Sequence, residues 1–287
     1  MTMPVEPPKS SNVYFNDPES GAEMARLLDQ DRLITKGMGG LFPERENDFS
    51  GINRILDAAC GPGGWAMEVA FKHPEIEVVG FDVSQAMIDY ARAQARVQGL
   101  SNASFHVMNL LKPLDFPDNS FDLVNIRFIN FLPAAAWPPL TQELGRITRR
   151  GGLIRLTESE WWYFSTSPAL ENLNALIIHA LKIQGSFSQT GRFTGILPML
   201  AHLLHEAGCV NIKLVSHAID FSAGSEAYEG FRRDAAVVFK LFQPFITRMG
   251  VATQEELDRL YDQMLIEMLQ EDFRGLMLPL TAWGEKA

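Results

Sequence analysis

The amino-acid sequence predicts an α/β fold: a doubly wound, mostly parallel sheet of seven strands with helical insertions in its last third. Three observations carry this expectation. Short apolar runs alternate with stretches of helical spacing from residue 54 to residue 158. The first run breaks into a glycine turn and the second closes on an acid, which is the grammar of a βαβ unit. After the fifth run the alternation gives way to long helical segments.

The elements follow in order. Residues 1–13 hold Pro, Ser and charge with little to bury and are expected to be disordered. Asp17 or Ser20 caps a helix through Glu23, Met24, Leu27, Leu28 and Leu33, ended by Gly37, Gly39 and Gly40. Arg54 to Asp57 is a short strand that breaks into Gly61-Pro-Gly-Gly64, and Trp65 to Lys72 continues as a helix. Ile76 to Phe81 is the second strand, Ser84 caps the next helix and Gly99 stops it. Ser104 to Met108 and Phe121 to Ile126 fit strands three and four, and Pro138 to Thr148 fits a helix. Leu153 to Glu158 fits strand five after the turn Arg150-Gly-Gly152. Pro168 to Gln184 and Gly195 to Ala207 read as helices and Val210 to Val215 as strand six. Ser225 to Met249 and Gln254 to Gln270 form a helical pair, and Arg274 to Trp283 is a last strand. Insertions after strands five and six would lie over one edge of the sheet, where a lid is expected in folds of this kind.

Composition narrows the function. With 287 residues and a hydrophobic fraction of 46%, the chain can bury a substantial core. A formal charge of −10, with no Lys/Arg cluster longer than a pair, argues against a nucleic-acid partner and for a small molecule or a peptide. The two cysteines, Cys60 and Cys209, have no partner at metal or redox spacing and read as packed residues in a reducing cytosol. The polar, Pro-rich start and the lack of an apolar run of about 20 residues point to the cytoplasm and away from the membrane.

The informative stretch is Leu56-Asp-Ala-Ala-Cys-Gly-Pro-Gly-Gly64, followed by Gly80-Phe-Asp82. A turn that brings backbone close to a ligand needs small residues, and the helix beyond it presents free N–H groups. Asp82, at the end of the next strand, can accept both hydroxyls of a ribose. Together these features suit an adenosine-containing cofactor. Gly61, Gly63 and Gly64 do not match the dinucleotide spacing, and Asp57 would repel a pyrophosphate while suiting a ligand with an ammonium group.

These residues carry a resemblance. Ile55-Leu-Asp-Ala-Ala-Cys-Gly-Pro-Gly63 looks like motif I of the class I S-adenosylmethionine-dependent methyltransferases, and Phe81-Asp-Val-Ser84 with Met87 looks like the acidic motif that follows it. Pro113 to Val124 resembles the family's entry to strand four, Arg127-Phe128 its exit, and Arg150-Gly-Gly152 the turn before strand five. The resemblance implies a Rossmann-like fold, S-adenosyl-L-methionine as cofactor and S-adenosyl-L-homocysteine as product. It also implies a methyltransferase domain over 51–287, a helical cap over 14–50, and lid insertions at about 161–197 and 222–271. Asp57 would support the loop and the amino end of the cofactor, with the backbone at Ala59, Gly61 and Gly63 against its methionine part. Asp82 would hold the ribose and Val83 and Met87 the adenine. Asn109, followed by Leu110, stands where the family usually has an acid, and its side-chain oxygen would meet the adenine amino group. Ala59 stands where the family has a glycine. Arg127 belongs to the cofactor set, and Arg26 and Gln30 resemble a helix that offers Arg and Gln to the cofactor carboxylate, though a solvated helix face reads as well. Tyr14 and Phe15 form part of the lid or equally a hydrophobic staple.

Methyl transfer needs in-line approach opposite the sulfur and exclusion of water, and no covalent enzyme intermediate. A hydroxyl or protonated amine acceptor gains from a general base. His179 in the inserted helix is the best-placed base; Glu158, after strand five, is a base or equally a capping or surface residue. Glu160 is also weighed, and His106, His202 and His205 read as structural. The aromatic run that includes Trp161 and Tyr163 is lid core or the lining of an acceptor pocket. The expected activity is methylation of a small, apolar or aromatic metabolite at O, N or C. A protein or peptide methyltransferase and a non-catalytic S-adenosylmethionine-binding protein are the alternatives.

Overall fold

A computed structural model describes residues 21–160 and 163–287. The expectations for residues 1–13, for the caps Asp17 and Ser20, and for Tyr14, Phe15 and Trp161 lie outside these described residues. The first helix, α1, spans Gly21–Met38. Gly37 lies inside it, and Gly39 and Gly40 stop it with φ of 99° and 132°. A short 3₁₀ turn at Pro43–Arg45 leads into the sheet.

Strands β1 (Arg54–Ala58), β2 (Glu77–Asp82), β3 (Ala103–Val107), β4 (Phe121–Arg127) and β5 (Thr148–Glu158) are joined through α2 (Gly64–Lys72), α3 (Gln85–Gln98) and α4 (Trp137–Ile147). Helix α5 covers Pro168–Gln184, α6 Leu200–Glu206, α7 Tyr228–Arg248 and α8 Gln254–Glu267. Two-residue strands β6 (Phe164–Ser165) and β8 (Ile219–Asp220) flank β7 (Cys209–Ser216), and the chain closes with β9 (Gly275–Met277) and β10 (Leu280–Lys286).

The main sheet has seven strands in the order β3-β2-β1-β4-β5-β10-β7. The pairs among β1 to β5 are parallel, while β10 runs antiparallel to both β5 and β7. The sheet is thus the mostly parallel, Rossmann-like one expected. The chain winds outward from β1 to β3 and then returns to β4 on β1's other side, so the connections leaving the carboxyl ends of β1 and β4 diverge to opposite faces, to α2 and α4. That divergence opens a crevice at the switch point of a doubly wound sheet.

Alternation along each strand separates two cores. Ile55, Val78 and Leu123 meet α2 and α3 on one face, while Leu56, Val79 and Val124 meet α4 and α6 on the other. A third cluster binds α1 to α5, α7 and α8 through Ile34, Leu173, Phe239 and Leu257, away from the sheet. A three-stranded sheet, β6-β9-β8, stitches this helical layer to the rest. Among the described residues no helix is long and apolar enough to cross a membrane.

Three differences from the sequence reading have local causes. The single last strand divides into β9 and β10 because Pro279 has no N–H for a ladder. Strand β5 starts at Thr148, and residues 149–152 bulge out: Phe121 pairs with Thr148 but Leu123 with Leu153. The helix expected from Gly195 is a 3₁₀ turn at Leu197–Met199 followed by the shorter α6.

Candidate active site

The crevice is built by the turns that leave β1 to β4. After β1 the backbone passes Ala59 at φ 54°, Gly61 at φ 54° and Gly63 at φ 80° before α2 begins. Ala59 holds a left-handed conformation without a glycine, which costs about 1–2 kcal/mol. Phe128, one residue past β4, does the same at φ 55°. Strained backbone at two strand ends facing one crevice is the usual mark of a site.

Asp82 ties two of these turns together. Its Oδ2 accepts from Gly61 N at 3.0 Å and its Oδ1 from Ser84 N at 2.9 Å. Asp57 points to the face that carries α2. Its Oδ1 accepts from Asn125 Nδ2 at 2.8 Å. Burial raises its pKa to about 7, against the pull of Arg127 and the Asn125 hydrogen bond.

The resulting cleft has about 1290 Å³ of empty volume out to its open mouth. Asp57, Ala59, Gly61, Asp82, Val83 and Met87 line it together with Asn109, Leu110 and Arg127, and α1 roofs it with Arg26, Gln30 and Asp31. The structure thus gathers most of the residues singled out in the sequence. It adds Asp31, Ile34, Ile129, Phe131 and Leu132, which no motif marks. Asp31 pairs with Arg127 directly above the glycine turn: a Cβ on Gly64 would lie 2.5 Å from Asp31 Oδ2.

Several expectations are corrected. His179 is exposed on α5, whose inward face is Leu173, Ile177, Ala180 and Leu181, so it does not reach the cleft. Glu158 is fully buried behind the cleft wall, where its Oε1 accepts from Ile129 N at 2.8 Å; burial raises its pKa to about 8. Glu160 accepts from Thr194 Oγ1, Gly195 N and Leu197 N, so it caps a turn. Tyr163 lies in the helical core, donates its hydroxyl to Asp234 and does not line the cleft. Gly63 does not line the cleft; a Cβ there would lie 2.7 Å from the Phe105 ring, so its role is packing. Asn109 lines the cleft, where its Oδ1 already accepts from Leu111 N at 2.8 Å.

Arg26 and Gln30 face the cleft on one side and α7 on the other. Arg26 donates to both Glu23 oxygens at 2.7 and 2.8 Å and to Asp234 Oδ1 at 3.0 Å. Gln30 Nε2 donates to Asp234 Oδ2 at 3.2 Å. The buried Asp234 therefore clasps α1 from α7. Arg127 donates to Asp31 and, at 3.2 Å, to Thr35 Oγ1.

Residues 55–152 match the family model of the methyltransferase domain. Motif, crevice and match agree on a methyltransferase domain over these residues, similar to those of the class I enzymes whose methyl donor is S-adenosyl-L-methionine. Among particular relatives, it is 26% identical to the demethylmenaquinone methyltransferase of Geobacillus kaustophilus over 186 residues, which cover 61% of this chain and 79% of the other. Its fold resembles that of Haemonchus contortus phosphoethanolamine N-methyltransferase 2, solved with S-adenosyl-L-methionine, at 16% identity and TM-score 0.56, covering 96% and 61% of the two chains. It also resembles the [4+2]-cyclase SpnF at 18% identity and TM-score 0.52, covering 94% and 97%.

The cleft's own chemistry fits the donor. Asp57 Oδ2 carries no hydrogen bond among the described residues and Asp57 lines the cleft, so it can take a cationic group. The apolar side chains of Val83 and Met87 flank Asp82, as an adenosine requires. Both lining guanidinium groups, Arg26 and Arg127, are already paired with carboxylates, which leaves the cleft suited to a cation.

Proposed function

We propose that this enzyme methylates a small apolar or aromatic metabolite in the part of the cleft between α1 and the turn after β4. The carrying observation is that Ile34, Phe128, Ile129, Phe131 and Leu132 line that part, while Arg26 and Arg127 are neutralised by carboxylates. An acceptor there gains from apolar contact and has no unpaired cation to recruit an anionic handle. The likeness to an enzyme named for demethylmenaquinone supports a small-molecule acceptor.

In this reading Asp57 receives the ammonium of the donor, the backbone at Ala59 and Gly61 packs on its methionine part, and Arg127 and Gln30 stand near its carboxylate. Asp82 would accept from the ribose hydroxyls, Val83 and Met87 would pack against the adenine, and Asn109 would meet its edge. When bound, the donor supplies an electrophilic methyl on a sulfonium. The chain's part is alignment and dryness: α1 closes the cleft from above, and Phe128 to Leu132 keep water from the acceptor side. Helices α5, α7 and α8 act as the lid that supports α1.

With His179 outside and Glu158 behind the wall, the described acceptor-side residues offer no base. The acceptor is then one that is nucleophilic near neutral pH by itself, such as an acidic phenol or an unprotonated amine. A cytoplasmic setting belongs to the same reading; Cys60 and Cys209 are both unbridged.

A methyl-radiolabel assay over phenols, quinols, amines, phosphorylated amines and peptides tests this. Label in the phenols, quinols or aromatic amines is expected. Label only in peptides overturns the small-molecule reading, label only in phosphorylated amines overturns the apolar one, and donor binding without transfer to any class overturns both.

A further inference from the structure

Asp57 is held from behind by a buried polar chain that crosses the sheet. Asp57, Asn125 and Arg155 are register partners on β1, β4 and β5. Asn125 Nδ2 donates to Asp57 Oδ1 at 2.8 Å, and Arg155 Nη1 donates to Asn125 Oδ1 at 2.8 Å. Arg155 then donates Nη2 and Nε to the two oxygens of Glu44, at 3.0 and 3.2 Å, and His217 Nε2 lies 3.2 Å from Glu44 Oε1. Asn125 is wholly buried and Arg155 is 1% exposed.

A guanidinium buried inside a sheet is a poor device for stability, since apolar residues of the same volume commonly do as well or better. Its effect on Asn125 is directional. A guanidinium only donates, so it takes the amide oxygen and forces the amide NH₂ toward Asp57. Asp57 must then present an acceptor at Oδ1, which turns Oδ2 to the cleft. The charge of Arg155 and the Asn125 hydrogen bond both favour the ionised carboxylate that burial opposes.

We propose that Arg155 is a positioning residue for donor binding, acting through Asn125 to hold Asp57 with one oxygen turned into the sheet and the other offered to the cleft. Glu44 neutralises Arg155 and anchors the chain to the segment between α1 and β1. This rests on the reading in which Asp57 receives the donor ammonium.

The test is calorimetric titration of S-adenosyl-L-homocysteine into the purified protein and its variants, each checked by thermal melting, with donor KM and kcat measured beside it. Asp57→Asn and Asn125→Leu should raise Kd about tenfold or more, as expected for losing hydrogen bonds to a charged group. The double variant Arg155→Met with Glu44→Met, which leaves no buried charge unpaired, should fold and raise Kd and donor KM about fivefold while kcat at saturating donor stays within about twofold. Arg155→Lys should recover part of the loss, because its ammonium still donates to the Asn125 oxygen. A purely structural role would lower melting temperature and leave Kd alone. Wild-type affinity in folded Asn125→Leu or the double variant, with Asp57→Asn impaired, overturns the proposal. Wild-type affinity in Asp57→Asn overturns the donor reading beneath it.

Discussion

The two walls of the cleft are held by opposite means. The floor is a set of strand-end turns closed by backbone hydrogen bonds to carboxylates, with Asp82 bridging Gly61 and Ser84. The roof, α1, is held from a distance: Asp234 on α7 collects Arg26, Gln30 and Tyr163, and apolar packing does the rest. A floor of local contacts keeps its shape whatever the roof does. A roof that depends on a charge 204 to 208 residues further on can be lost as a unit.

The largest effect should come from breaking the roof. Asp234→Ala takes one carboxylate from the buried Arg26 and strips Gln30 and Tyr163 of the acceptor they share, so denaturant unfolding should show a loss of about 3–5 kcal/mol. Donor affinity should fall with it, since Arg26, Gln30 and Asp31 move with α1. A variant with unchanged stability would mean that the clasp does not hold the roof.

Next in size is a pH effect that separates floor from roof. Burial raises Asp57 to about 7 and Glu158 to about 8, so the folded state keeps protons that the unfolded chain has released above about pH 4 to 5. Stability of the ligand-free protein should therefore fall as pH rises, by about 2–4 kcal/mol for each group, Asp57 contributing up to about pH 7 and Glu158 up to about pH 8. Saturating S-adenosyl-L-homocysteine should flatten the Asp57 part and spare that of Glu158, which lies outside the cleft. A flat profile between pH 5 and 8 would show both carboxyls ionised.

Smaller effects test the floor by itself. Asp82→Ala should weaken donor binding by about 1–3 kcal/mol in calorimetry, and unaltered binding would misplace the ribose. Ala59→Gly should raise stability by about 1 kcal/mol by relieving the left-handed alanine, with donor affinity kept. A loss of affinity instead would mean that the Ala59 methyl itself touches the donor.

The floor was legible in the chain because a glycine turn and the acid that follows a strand are local: Asp57, Gly61 and Asp82 sit within 26 consecutive residues, and backbone sterics place them. Even there, Gly63 answers to more than its turn: besides its φ of 80°, the Phe105 ring on β3 leaves no room for a Cβ. His179 failed as a base because helical periodicity shows which face of a helix is apolar without showing whether that apolar face or the polar one opposite it borders a cavity. Asn125 and Arg155 left a trace, as single polar residues inside the apolar runs Leu123-Val-Asn-Ile and Leu153-Ile-Arg-Leu. A polar residue with no room for water must have a partner, but the sequence does not say where.

By itself, then, the sequence determined the order of the main-sheet strands and of the helices, the crevice-forming turns and the type of ligand charge they suit, since each depends on neighbours a few residues apart. The tertiary structure alone decided the partners of Asp57, the clasp from Asp234 and the exclusion of His179 and Glu158 from the cleft. Those depend on which distant strands share a register and which helices share a core, and they emerge only when the whole chain has packed.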